Sequence, residues 1–312
     1  MSRSDTPHIS TRKADHIDLC TDGDVGFHHK TTLLEEVHLV HDALPELAVN
    51  DVDLTVEFAG RSLRAPLVIA AMTGGLERAA AINRDLASVA EELGIGFAFG
   101  SQRPLLTHGI RAGYEVRDVA PTALVLGNIG IVQARATPTN QLNALVRTTG
   151  ADALCVHLNP AMEVVQPEGD TDFRGGLGTL IRLIDELDVP IIVKETGCGL
   201  SRGVGKRLAD IGIQWVDTSG AGGTSWVAVE TQRAQDEGRA LGEAFWDWGV
   251  PTGASVAQLS GLGMGVCATG GVSSGLHVAR SLALGATCAG VARPFLQAQA
   301  RGGRAEVSRV AK

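Results

Sequence analysis

The apolar run Ala153-Leu154-Cys155-Val156 stops abruptly and releases His157, Asn159 and Glu163, with Met162 among them. Apolar runs that end in a burst of polar side chains are where enzymes place chemistry. A histidine offers proton transfer, an asparagine offers both donor and acceptor, and a glutamate offers an oxygen ligand to a hard cation. Glu163 could hold Mg²⁺ together with phosphate oxygens and water, because that ion often takes only one or two carboxylates from protein. A glutamate facing solvent is the plainer reading, and His157 and Asn159 beside it weigh against that. Lys194 ends a second apolar run, in VKETG. A lysine after three strand residues is costly unless it points into a polar pocket with a partner. Beside a cofactor it can stabilise negative charge on a ring such as a flavin; otherwise it is salt-bridged to a neighbouring carboxylate.

Glycine-rich stretches supply a different chemistry. TGGVSSG, residues 269–275, follows an apolar run and opens a helical pattern. Glycines let backbone approach an anion, and free N–H groups at a helix start bind it. ARP at 292–294, after the next run, supplies a second half of such a phosphate cup. DTSGAGGTS (217–225), MTGG (72–75) and GSQR (100–103) are weak signals singly and surround one site together. RKADH contains Arg12, Lys13 and His16, three groups able to clamp a diphosphate, although a solvated basic segment is the ordinary explanation. His28, His29, His38 and His41 lack matched carboxylate spacing and read as surface or satisfied histidines.

These groups need a frame that brings run ends together. Eight short apolar runs follow residue 65, beginning near Pro66, Ile95, Ala123, Ala153, Pro190, Gln214, Gly265 and Cys288. Between them lie helical patterns, such as Ile82, Leu86, Val89, Ala90 and Leu93 on one face. Nearly every run ends in polar or glycine residues. A TIM (β/α)8 barrel of the α/β class collects all such ends on one face. A doubly wound open sheet is the competitor, and it would concentrate glycine loops near one switch point. The reading is therefore an N-terminal extension, 1–65, packed on a barrel over 66–312. Ser225 to Gln258, with Trp226, Trp246 and Trp248, is expected to be an insertion after strand six, over the barrel mouth.

The chain has 312 residues and a net charge of −8, which argues against general affinity for nucleic acid or acidic membranes. Thirty-nine glycines, nearly twice the average share, agree with many tight loops. Five cysteines without CxxC spacing read as reduced, mostly buried thiols of a cytoplasmic protein. No apolar run is long enough to span a bilayer, and the charged N-terminus is unlike a signal peptide.

The ordered set RKADH, AAMTGG, GSQR, GNIG, HLNPAMEVVQPEGDTDFRG, VKETGCGLS, DTSGAGGTSW, LGEAFWDWGVPT and ATGGVSSG resembles the type II isopentenyl diphosphate isomerases, from Arg12 to about Leu296. The resemblance implies an FMN-binding barrel, a homo-oligomer such as a tetramer or octamer, and Mg²⁺. It implies interconversion of isopentenyl and dimethylallyl diphosphate, with reduced FMN as the acid/base group and NADPH as the expected reductant. By position it implies FMN contacts from Ala71, Met72, Thr73, Ser101, Asn128, Lys194, Ser219 and Thr224. Gly271, Val272, Ser273, Ala292 and Arg293 would hold the FMN phosphate. Arg12, Lys13, His16, Ser101, Gln102 and Arg103 would face the substrate, with His157, Asn159 and Lys194 in catalytic positions and Glu163 on the metal.

Three departures qualify that implication. The family pattern HxNxxQE has glutamine where this chain has Met162. A thioether accepts weakly and donates nothing, so it cannot replace an amide in a proton relay, whereas it packs well on an isoprenoid chain. Ser273 and His277 stand where the family commonly has arginine and an acid, which weakens the hold on phosphate unless Arg293 compensates. Cys198 replaces a common phenylalanine and widens the pocket. Two other functions stay open: another flavin enzyme on this scaffold, either an FMN oxidoreductase or an isomerase of a different prenyl substrate, and a non-enzymatic FMN or prenyl-diphosphate binder. Against the oxidoreductase, no histidine–arginine pair is placed for hydroxy-acid oxidation.

Overall fold

The computed structural model describes residues 6–312. A short antiparallel hairpin, β1 (Val56–Phe58) and β2 (Arg61–Leu63), precedes eight barrel strands. These are β3 (Leu67–Ile69), β4 (Gly96–Ala98), β5 (Leu124–Gly130), β6 (Ala153–His157), β7 (Ile191–Lys194), β8 (Trp215–Asp217), β9 (Gly265–Ala268) and β10 (Cys288–Val291). They close in the order β10-β3-β4-β5-β6-β7-β8-β9, all parallel. The eight apolar runs are these eight strands, so the closed barrel, not the open sheet, is the architecture. No helix among the described residues is long and apolar enough to cross a membrane.

Side chains alternate across a strand, so every second residue faces the barrel axis. Val68, Ala98, Leu126, Cys155, Ile192, Trp215, Cys267 and Cys288 belong to or pack on one interior cluster. Two residues further along each strand come Ala70, Gly100, Asn128, His157, Lys194, Asp217, Thr269 and Gly290. Seven of these eight line the cavity at the barrel mouth, and Asp217 lies buried behind Lys194. One period of the strand thus separates the apolar filling from the polar ring above it. Gly290 makes space in that ring, since a Cβ there would meet the Thr269 methyl.

At the other end the hairpin plugs the barrel. Its turn residues Ala59 and Gly60 both take positive φ, 50° and 79°, which matches the twist of a tight two-residue hairpin. Phe58 and Leu63 are fully buried, and Phe58 meets Trp215 edge-to-face with centroids 5.1 Å apart. Cys155, Cys267 and Cys288 are free thiols in the barrel interior, and burial pushes Cys155 up to about 12. Cys198 is only half-buried, because it sits in the loop after β7 and not within a strand.

The outer ring follows the periodic stripes. Helix Glu77–Leu93 buries Ile82, Leu86, Val89 and Ala90 and ends at Gly94 in the left-handed conformation. The expected insertion is shorter than Ser225 to Gln258. Helices Trp226–Arg233 and Asp236–Ala244 do form an addition at the mouth, but Thr252–Leu259 packs on β9 and on helix Arg202–Asp210 as a regular ring helix. Gly205 permits that contact, since a Cβ there would strike Leu259. The reason is length: a connection that crosses back to β9 needs an apolar helix, and VAQL within 256–259 supplies it.

Phe58→Ala is expected to destabilise the protein by about 3–5 kcal/mol, the usual range for emptying a large aromatic site. Chemical denaturation measures this, and ligand affinity should be unchanged because Phe58 lies at the opposite end from the cavity.

Candidate active site

A cavity of 580 Å³ occupies the mouth, roofed by the N-terminal helix Thr6–Asp22. Arg12, Lys13, His16, Ile17 and Cys20 of that helix face it. The helix is tied down by polar contacts to several separate parts of the chain. Lys13 Nζ donates to Gly74 O (2.5 Å), Ser101 O (3.0 Å) and Tyr114 Oη (3.0 Å), so all three donors are engaged. Burial, then the Arg12 charge, pulls the Lys13 pKa down to about 7. His16 Nε2 donates to Glu230 Oε1 at 2.7 Å, and Arg233 holds the other oxygen of Glu230 at 2.6 Å. Arg293 donates to Cys20 O (2.9 Å) and Gly23 O (2.6 Å), capping the last turn of the helix. Arg12 lines the cavity with its Nε buried and without a partner among the described residues. Burial, then Arg103, lowers its pKa, and the carboxylates of Glu230 and Glu163 offset only part of that.

The polar ring orients its members through one another. Asn128 Nδ2 donates to Phe99 O at 3.1 Å, which turns its Oδ1 towards His157 Nδ1 at 2.8 Å. That contact requires the proton on Nδ1 and leaves Nε2 as an acceptor. Burial, reinforced by Lys194 and Lys13, lowers His157 to about 3, so the ring is neutral. Lys194 Nζ donates to Glu195 O at 2.5 Å, reaches Ser219 Oγ at 3.4 Å and lies 4.0 Å from Asp217. The lysine therefore has its carboxylate partner and also faces the cavity. Glu195 turns away and gathers the N–H groups of Thr196, Gly197 and Cys198 on one oxygen. This fixes the loop that brings Thr196 and Gly197 to the cavity.

Next to these groups, helix Pro160–Val165 begins directly after β6. Asn159 Nδ2 donates to Glu163 Oε1 at 2.7 Å, and the Asp170 N–H donates to Oε2 at 2.7 Å. Each oxygen keeps a lone pair for a ligand. Asp170 also receives Gln133 Nε2 at 2.8 Å and Arg103 at 3.4 Å, so one aspartate steadies three groups of this wall. Met162 lies beside them with its sulfur 3.8 Å from Asn159 Nδ2, the separation of a weak contact.

The loops after β8 and β9 are backbone-lined. Gly270 and Gly271 have φ of 99° and 73°, and a Cβ at Gly223 would strike the backbone of Gly271. No larger residues fit, and the result is a cradle of bare backbone. Ser219 takes φ 39°, held there because its N–H donates to Asp217 Oδ1 and Thr269 Oγ1. Ser274 caps helix Gly275–Ala283, whose N-terminus follows the cradle. Cradle and Lys194 together fit a flavin and its phosphate. For a metal the donor set is thinner: no group of three His, Cys, Asp or Glu stands ready among the described residues. Glu163 fits a hard cation shared with ligand oxygens.

Cys198, expected to widen the pocket, and His277 are not among the residues lining this cavity. Of the residues named for binding or catalysis, all but one line it: Arg12, Lys13, His16, Ala71, Met72, Thr73, Ser101, Arg103, Asn128, His157, Asn159, Met162, Glu163, Lys194, Ser219, Thr224, Gly271, Val272, Ser273, Ala292 and Arg293. Gln102 does not. It is fully buried, and its Oε1 accepts from Asn128 N, holding β5 to the loop after β4. Sequence reasoning passed over Gln133, Gln166, Asp170 and Glu230. Gln166 carried a signal, four residues after Met162 on the same helical face. Glu230 and Asp170 carried none, since what ties them to the site, His16 for one and Gln133 and Arg103 for the other, lies far away in sequence.

Residues 131–312 match the FMN-dependent dehydrogenase family. The chain is 43% identical to an isopentenyl-diphosphate delta-isomerase of Methanothermobacter thermautotrophicus, over 95% of this chain and 83% of that one. It is 47% identical to one from a Synechococcus species, over 93% and 85%. Solved structures with the same fold include a flavocytochrome b2 variant (TM-score 0.66, 16% identity, 99% and 78% covered) and a mandelate oxidase variant (0.60, 17%, 98% and 90%). At that identity they speak for the barrel alone. With a ring of polar strand ends above an apolar barrel, and with relatives this similar over nearly its whole length, the chain belongs to the isopentenyl-diphosphate delta-isomerase family within the FMN-dependent dehydrogenases.

Proposed function

We propose that the protein interconverts isopentenyl and dimethylallyl diphosphate with FMN and Mg²⁺. The observation that carries this is the division of one cavity into two halves. Arg12, Arg103 and Glu163 form an anion-and-cation half, and the glycine cradle with Lys194 forms a half for a flat anionic cofactor. A reduced flavin bound there would supply acid/base chemistry at the allylic carbons, and the reaction has no net redox change.

The protein groups act by holding and orienting. Glu163, fixed by Asn159 and the Asp170 N–H, keeps lone pairs that would hold a hard cation, which would supply charge neutralisation for an anionic ligand. Arg12 and Arg103 bind the diphosphate oxygens, and Asp170 keeps Arg103 aimed. His157 accepts at Nε2 and, beside a bound diphosphate, takes a proton more readily than in the free protein. Lys194 places a positive charge at the strand end, where negative charge on a cofactor ring is stabilised. The roof helix and Trp226 exclude water. Met162 moves no proton and lies against the prenyl chain. A homo-oligomer, tetramer or octamer, a cytoplasmic site of action and NADPH as reductant belong to the same reading.

The experiment is an anaerobic assay with FMN, dithionite or NADPH, Mg²⁺ and isopentenyl diphosphate, following dimethylallyl diphosphate by NMR. Turnover that needs both reduced FMN and Mg²⁺ is expected; none, with FMN bound, would overturn the reading for this substrate. Met162→Gln should raise the rate by on the order of 10²-fold, the scale of one general acid/base group. A fall instead would show a site retuned around the thioether for another prenyl substrate.

His157 gives a pH prediction. Its folded pKa, about 3, is below the ordinary 6.5, so the unfolded chain binds the proton more readily between those values. Its contribution to stability is complete above about pH 6.5 and is lost as pH falls towards 3. In the ligand-free protein its ring resonances should not titrate between pH 5 and 8, and a midpoint near 6.5 by NMR would refute this.

A further inference from the structure

Gln166, the C-cap of helix Pro160–Val165, lies one turn beyond Met162 and Glu163 and lines the cavity with them. It is only 5% exposed. Its Nε2 is enclosed and has no hydrogen-bond partner among the described residues, and no side-chain hydrogen bond reaches its amide from any of them. The rest of this wall is different. Asn159 is paired with Glu163, Glu163 with the Asp170 N–H, and Gln133 with Asp170. A buried amide without a partner destabilises a fold, and a leucine or methionine of similar size would avoid that cost. Met162, four residues back, shows that this wall accepts such a side chain. An amide retained here has its partner in the ligand.

We infer that Gln166 is a ligand-binding residue, whose amide donates to an oxygen of the diphosphate–cation head group anchored by Glu163. The prenyl chain offers no acceptor, so the partner is a phosphate oxygen or a water in the cation's shell. The assignment rests on the diphosphate reading of the cavity. It makes Gln166 a specificity residue for the head group, independent of the proton transfer.

The test is calorimetric binding of inorganic pyrophosphate and of isopentenyl diphosphate to the FMN-loaded protein, with and without Mg²⁺, for the native chain, Gln166→Leu and Gln166→Glu. Thermal unfolding of each ligand-free variant accompanies it. Gln166→Leu should weaken both ligands by about ten- to a hundredfold while its melting temperature stays level or rises. Gln166→Glu should weaken them further by repulsion. A loss confined to the Mg²⁺ series identifies a cation-bound water as the partner, and a loss in both series identifies a phosphate oxygen. Native binding that Gln166→Leu leaves unchanged, or that falls only alongside its melting temperature, overturns the inference and leaves the diphosphate reading standing. Failure of the native protein to bind either ligand overturns that reading, and the inference with it.

Discussion

The parallel register of the closed barrel is the constraint on which the site depends. Because β5, β6 and β7 pair in step, Gly130 stands opposite His157 and His157 opposite Lys194. The same register sets Lys194 opposite Asp217 on β8, and Asp217 opposite Cys267 on β9. A shift of one residue in any strand would rotate its polar terminus out of the ring and push an outer apolar side chain inward. The apolar filling beneath and the plug formed by Phe58 and Leu63 oppose such a shift, since both would have to repack. Burial of the hydrophobic barrel interior is thus what holds His157 and Lys194 in their places.

Charge at the mouth is balanced unevenly. Lys194, His16 and Arg103 each have carboxylate neighbours, whereas Arg12 has a bare Nε and His157 is forced neutral. Lys13, Arg12 and His157 are all depressed first by burial and then by neighbouring positive groups, which Glu230 and Glu163 offset only in part at Arg12. On the proposed function, a bound diphosphate would relieve that crowding. The roof helix carries much of this charge, and polar contacts to several distant parts of the chain hold it in place. Ile17 and Cys20 of the same helix are buried in the main hydrophobic core, so apolar packing holds the roof as well.

A divided wall is the other consequence of the helix after β6. Asn159, Glu163 and Gln166 present polar groups, and Met162 presents a polarizable apolar surface between them. On the proposed function, head group and prenyl chain would have separate landing places within one turn of helix, a separation that recognition of an amphiphilic substrate needs at short range.

Much of this was open to reading along the chain. Eight apolar runs, each broken by glycine or polar residues, locate the strands, because a strand buried on both faces must be apolar and its end must turn. The same endings nominate His157, Glu163, Lys194 and the glycine cradle. Local sequence also marks Gln166, through its spacing from Met162. Contacts between residues far apart in the chain lay beyond that reach. Gln102 sits in a motif that faces the site, yet its side chain turns into the barrel wall to meet Asn128 N. Arg293 follows the last strand as a phosphate ligand should, yet part of its guanidinium is occupied with the end of a helix 270 residues earlier. Glu230 and Asp170 became visible only once the chain was closed. Strand periodicity is a local property and survives in the sequence, whereas the partner of a buried charge is chosen by whichever distant group the closed fold brings within hydrogen-bond reach.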